Sequence, residues 1–314
     1  MSIVGIESVT YGVDDILACT RFYERFGLPL AESSTERAMF QLAEGSRVVL
    51  LAHDDPALPP RYAPGNGVRE VIWGVSDARS LDALERDLGR DRAVMRDQNA
   101  IVRCADDAGI ALGFKVFERK SLLSAPSPTN APGLPRRQNQ HRKWYRRAEP
   151  KLIYHVVFRT PNHARAAQFY RERLGFRLSD VSRGLGMFMR ADGHSAHHNL
   201  FLMESPTLAF DHVCFGVEDI DELMTGANRM RTGGYVSKNG LGRHRIGSAL
   251  FYYLDNPCGG EAEYGADMDQ LDDRWIAREW EPLFGLLSWA AQPPAFMPHE
   301  ASWDARIIVD EERK

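Results

Sequence analysis

Two stretches far apart in the chain follow one pattern: SVTYGVDDILACTRFYERFGLPL at 8–30 and HVVFRTPNHARAAQFYRERLGFRL at 155–178, each with a Phe-Tyr pair 14 residues after its first position. In both, a short β-prone run leads into apolar residues at helical spacing. A second pair, EVIWGVSDARSLDALERDL at 70–88 and HVCFGVEDIDELMTGANRM at 212–230, repeats the order of β-rich run, acidic helix start and helix. Further β-rich segments follow the helices, among them SRVVLLAH (46–53), NLFLMES (199–205) and SALFYYLD (248–255). A duplicated chain folds as copies of one unit, and four βαβββ modules are the simplest architecture for this pattern. Four imperfect copies with a break after the second favour modules paired into two α+β domains over a propeller or solenoid.

The break is 121–150, a polar, turn-prone stretch with five prolines and the basic run RRQNQHRKWYRR at 136–147. It reads as an interdomain connection, and the basic run as a solvated part of it rather than a contact for nucleic acid or an acidic partner. The expected division is an N-terminal domain over 1–120, the linker, a second domain over 151–270 and a C-terminal helical tail over 271–314. A length of 314 residues fits two domains of about 150. No apolar run reaches the roughly 20 residues of a membrane span, and the start has no basic n-region before an apolar stretch, so a cytoplasmic protein is expected. Four cysteines without CxxC spacing fit reduced thiols. A formal charge of −4 argues against nucleic acid or membrane as a general partner.

Histidines are unevenly placed. Seven of the ten lie between 155 and 244, whereas the first 140 residues contain only His53. Aligning the halves sets His155 against Ser8, His212 against Glu70 and Glu263 against Gly113, so the second half has metal-ligating side chains at three positions where the first has none of the set. Two histidines and one carboxylate, one on each of three strands, leave positions open on an ion, and this is the donor set of non-haem Fe(II) oxygen chemistry. Such a set suits a substrate that chelates through two oxygens. The first half is expected to have kept the scaffold and lost the site.

These residues resemble the vicinal oxygen chelate superfamily, and within it the two-domain type I extradiol ring-cleaving dioxygenases, over about residues 1–270. The most specific stretch is GRHRIGSALFYYLDNPCGGEAEYG at 242–265, similar to the family signature of Gly-x-His, a spacer, Tyr, then Asn-Pro-x-Gly and a ligand Glu. The resemblance implies two domains, each a curved mixed β-sheet barrel with outer helices, and the metal ligands His155, His212 and Glu263. Glu261, on the same face of a strand, is the rival carboxylate; the EYG context favours Glu263. His198, 14 residues before His212, matches the family's acid–base histidine. His244 matches the histidine bordering the substrate, and Tyr253 the tyrosine that hydrogen-bonds a substrate oxygen. The chain departs from the family at Tyr252, and at Ile246 and Gly247, where a polar Asn-Asp pair is usual.

The implied activity is Fe(II)-dependent extradiol cleavage of a catechol-type ring with O₂, in a homo-oligomer, with Mn(II) able to use the same ligands and no organic cofactor. Two other readings are carried: a metal-dependent lyase or isomerase of glyoxalase type, and a non-catalytic binding protein for a small aromatic ligand. Among lesser features, His197 is expected to point away from His198 on a strand, and His163 to be exposed in a helix-start loop. Cys258 has nothing nearby to activate its thiol. Trp275, Trp280, Leu283, Leu286, Leu287 and Trp289 recur at near-helical spacing in the tail, which by default packs on its own domain, with a cap over the site or a subunit contact as the alternatives.

Overall fold

The computed structural model describes residues 3–191, 196–237, 239–292 and the backbone of 305–307; His194 lies outside the described residues. The first half runs β1 (Ile3–Val13), α1 (Ile16–Phe26), β2 (Leu30–Ser33), β3 (Arg37–Gln41), β4 (Arg47–Ala52), β5 (Gly67–Val75), α2 (Ala78–Leu88), β6 (Met95–Arg96), β7 (Val102–Ala105) and β8 (Ala111–Val116). The second repeats it: β9 (Leu152–Thr160), α3 (His163–Leu174), β10 (Arg177–Ser182), β11 (Gly186–Arg190), β12 (Leu200–Glu204), β13 (Ala209–Gly216), α4 (Ile220–Thr232), β14 (Gly242–Arg243), β15 (Leu250–Asp255) and β16 (Glu261–Ala266). After these come β17 (Arg278–Trp280), α5 (Pro282–Leu286), β18 (Trp289–Ala290) and β19 (Ala305–Ile307). Each half is two βαβββ modules.

Local chemistry sets the boundaries. Asp15, Asp77, Asn162 and Asp219 cap the first four helices, each side chain accepting a backbone N–H of the first turn. Gly27 ends α1 at φ +109°, with the Ala148 carbonyl only 2.1 Å from where a Cβ would sit, so both conformation and close approach require glycine.

The sheet orders are β2-β3-β4-β1-β5-β8-β7-β6 and β18-β14-β15-β16-β13-β9-β12-β11-β10-β17-β19. In both, an antiparallel pair of first strands (β1/β5, β9/β13) lies at the centre, flanked by parallel partners (β4 and β8, β12 and β16). These mixed sheets, with the helices outside, make the two-domain vicinal oxygen chelate fold. The duplication holds residue for residue: Ser8 faces Ile72 and Ile72 faces Gly113, as His155 faces Cys214 and Cys214 faces Glu263. Thr10 faces Glu70 as Val157 faces His212.

The halves share one core. Phe26 stacks on Tyr264 at 3.9 Å and 7°, and the Tyr264 hydroxyl donates to the Phe26 carbonyl at 2.6 Å. Asn256 donates to the Tyr23 hydroxyl at 2.9 Å, and Trp73 meets the edge of Phe176.

Three local expectations are corrected. The tail is not a continuous helix: α5 is five residues long, and β17 and β18 extend the second sheet at β10 and β14. Residues 136–147 are not simply solvated, because Lys143 and Tyr145 bond Glu218, and Arg142 pairs with Asp221 at the acidic start of α4. His163 opens α3 with its ring only 17% exposed and paired to Glu204. No helix among the described residues is long and apolar enough to cross a membrane.

Candidate active site

Strands β9, β13 and β16 lie side by side and bring together the three side chains singled out by the internal alignment. His155 Nε2 and His212 Nε2 are 3.2 Å apart, and Glu263 Oε2 stands 3.2 Å from the first and 3.4 Å from the second. All three side chains are buried. Donors bonded at roughly 2.1 Å with angles of about 90–109° stand about 3.0–3.4 Å apart, so the triangle has the dimensions of one face of a metal ion. Neither Glu263 oxygen has a hydrogen-bond donor of suitable geometry. A buried carboxylate left so is costly unless a cation meets it. Among the described residues, donors clustered closely enough to ligate an ion are found here, in the second half.

At His212 and Glu263 the field favours positive charge, whereas at His155 burial outweighs Glu263 and lowers the pKa. Burial opposes a charge on His212, but Asp211 and Glu263 outweigh it and push its pKa up to about 10. Burial likewise opposes ionisation of Glu263, and the two imidazoles overcome it, holding the carboxyl well below the usual range. A divalent cation answers both preferences. Asp211 accepts from His212 Nδ1 at 2.6 Å, which turns Nε2 into the triangle. Cys214 Sγ lies within 4.8 Å of the His155 and Glu263 donors, but burial and Glu263 push its thiol pKa far up, so it faces the triangle as a neutral thiol. Glu261 is half-buried and lines the cavity outside the triangle.

Two corners of the triangle, His155 and His212, line a cavity of about 340 Å³ together with His198, His244 and Tyr253, while Glu263 is not among its lining residues. His198 stacks on His155 at 4.2 Å and meets Phe188 edge-on. Burial, then the neighbouring imidazoles, lower its pKa well below the ordinary histidine value, so it is neutral near pH 7. His244 Nδ1 lies 2.7 Å from the Leu286 carbonyl, which can only accept, so Nδ1 carries the proton. Its pKa is lowered by desolvation in the cavity wall, and its bare Nε2 faces the Tyr253 hydroxyl at 3.1 Å. Tyr253 sits opposite Glu263 in the sheet register, and desolvation, then Glu263, raise its pKa far up, so the phenol keeps its proton.

The remaining wall is largely apolar: Leu185, Phe188, Phe201, Ile246, Leu286 and Leu287. Ile246 and the tail residues 285–287 thus belong to the cavity, and the tail covers the site. His197, expected to point away, is fully buried in a segment outside any strand, with its Nδ1 3.0 Å from His198 Nδ1. Sequence reasoning missed Asp211, Asp180 and the Leu286 carbonyl; only Asp211, next to His212 of the triangle, left a local signal.

Residues 152–264 match the model of the Glyoxalase/Bleomycin resistance protein/Dioxygenase superfamily. The chain is 35% identical over 305 residues to metapyrocatechase 2 of Cupriavidus necator, covering 93% of this chain and 90% of the relative. Its fold is similar to that of a Mn(II)-bound glyoxalase from Novosphingobium aromaticivorans, with TM-score 0.74 and 22% identity over 96% of this chain and 95% of that one. It is also similar to homoprotocatechuate 2,3-dioxygenase from Arthrobacter globiformis, with TM-score 0.69 and 20% identity over 89% and 85% of the two chains.

Proposed function

The chain belongs to the glyoxalase/bleomycin resistance protein/dioxygenase superfamily and, within it, to the extradiol ring-cleaving dioxygenases, and from that premise we propose that His155, His212 and Glu263 hold an Fe(II) ion in the cavity wall. The activity is that of an oxidoreductase, opening a catechol-type ring beside its two hydroxyls with O₂. The observation that supports the ligand assignment is the buried triangle of donors 3.2–3.4 Å apart beside a cavity of about 340 Å³. When bound, the ion supplies the electronic contact between diol and O₂; Mn(II) suits the same donors.

The chain's own side chains do the rest. The apolar wall of Phe188, Phe201 and Ile246 receives the ring and excludes water. His198, neutral and beside the triangle, takes a proton from a substrate hydroxyl and returns one later. Tyr253 keeps its phenolic proton and offers it to a substrate oxygen, while His244, fixed through Leu286, borders the ring and holds the phenol in place. In this reading residues 1–120 are a scaffold domain, 121–150 a linker, 151–270 the catalytic domain and 271–314 a tail, of which residues 285–287 line the cavity. The chain works as a homo-oligomer, for which the exposed Leu123 and Trp144 offer apolar surface.

The test is anaerobic reconstitution with Fe(II), then addition of O₂ and a panel of catechols, following oxygen uptake and the yellow ring-fission product. Wild type is expected to give both, and His212→Ala to lose both by at least about 10³-fold. Equal turnover by the two proteins would overturn the assignment.

A further inference from the structure

We infer that Asp180 and His197 form a buried hydrogen-bond chain that fixes the tautomer of His198, acting as positioning residues for the proton step assigned to that histidine. The inference rests on the functional reading above and adds to it which ring nitrogen is bare.

The chain of contacts is short and enclosed. Asp180, His197 and His198 are 1%, 0% and 6% exposed. Asp180 Oδ1 accepts the backbone N–H of Arg278 at 2.7 Å, and Oδ2 accepts the Trp280 indole N–H at 2.9 Å; both donors come from β17. His197 Nε2 stands 3.3 Å from the same Oδ2, and His197 Nδ1 stands 3.0 Å from His198 Nδ1. A carboxylate only accepts, so the proton on His197 belongs at Nε2. Placed so, His197 Nδ1 is the acceptor toward His198, and His198 Nδ1 is the donor. The reverse arrangement would set the bare His197 Nε2 against the carboxylate, two acceptors facing each other in a dry interior. His198 Nε2, at the other end of a ring that lines the cavity, is therefore bare: the form that can accept a proton from a substrate hydroxyl.

Gly247 has a place in the same arrangement. It adopts φ +73°, and a Cβ there would lie 3.2 Å from His197 Cγ and Nδ1. The absence of a side chain at this position, one of the departures noted in the sequence, leaves room for the His197 ring. Phe188 and Trp275 bound that ring on other sides, so His197 has little freedom to turn.

The direct test is the nitrogen-15 spectrum of histidine-labelled protein loaded with diamagnetic Zn(II), assigned with His197 and His198 variants. Expected is His198 with Nδ1 protonated and Nε2 bare; a protonated Nε2 on His198 in the wild type would overturn the inference without any turnover measurement. In the Fe(II) enzyme, His197→Leu, which removes the acceptor, is expected to lower kcat about 10- to 100-fold, with KM changed less than about threefold and iron content unchanged. His197→Asn places an amide carbonyl near the lost Nδ1 and is expected to recover most of that kcat. Wild-type kcat in His197→Leu, or no recovery in His197→Asn, would count against the chain. If the wild type turned over no catechol, the functional reading would fail, and the spectrum would still decide the tautomer.

Discussion

Asp211 shows how much of this site depends on one side chain that is not itself a ligand. Its Oδ1 accepts from His212 Nδ1, and its carboxylate also pairs with Arg159, so it orients the imidazole and adds negative charge behind the triangle of donors. Asp211→Asn is expected to weaken metal affinity roughly 10- to 100-fold, measured by competition with a chelator; unchanged affinity would mean that the sheet alone orients His212. That His155, His212 and Glu263 come together was legible in the sequence because duplication provides an internal control: Ser8, Glu70 and Gly113 occupy the same registers without the donor set. His197 was not legible. Alternation of faces applies to a strand, and residues 197–199 are not one.

At the scale of elements, the tail and the linker were misread for related reasons. Tryptophan and leucine spacing in 272–292 suggested a helix, but β10 and β14 offer edges with which β17 and β18 pair, a long-range pairing that local spacing does not show. The basic run finds partners at Glu218 and Asp221, 75 and 79 residues away, a match that no local pattern shows. The β7–β8 turn is held by Asp106, which accepts from the Ala108 and Ile110 amides and from the Tyr170 hydroxyl of the other half. Burial raises the Asp106 pKa to about 6. A carboxyl whose folded pKa lies above its unfolded value favours the folded state when protonated, so its contribution grows as pH falls from about 6 towards 4. The melting temperature of wild type minus that of Asp106→Asn is therefore expected to rise over that window. A flat or falling difference would show that the carboxyl is not raised.

For the whole molecule, duplication has produced two halves with one core, and among the described residues the donor triangle is found in the second half. In the first half the Glu70 carboxylate is taken up by Arg103 at 2.6 Å, and a Cβ on Gly113 would lie 2.8 Å from Ile72 Cγ1, so position 113 has no room for a side chain without a shift of Ile72. That half contributes Phe22, Tyr23 and Phe26 to the aromatic packing against Phe215, Tyr235 and Tyr264. Phe26→Ala is expected to cost about 3–5 kcal/mol and to lower a single unfolding transition seen alike by near-UV and far-UV dichroism; two separate transitions would show that the halves fold independently. The central claim concerns which carboxylate completes the metal site in the second half, and the most direct measurement is iron bound per chain, with ring-cleavage rate, in Glu263→Ala beside Glu261→Ala. Expected is about one iron and ready cleavage in Glu261→Ala, and loss of both in Glu263→Ala; a Glu263→Ala protein that keeps its iron and its rate would contradict the assignment.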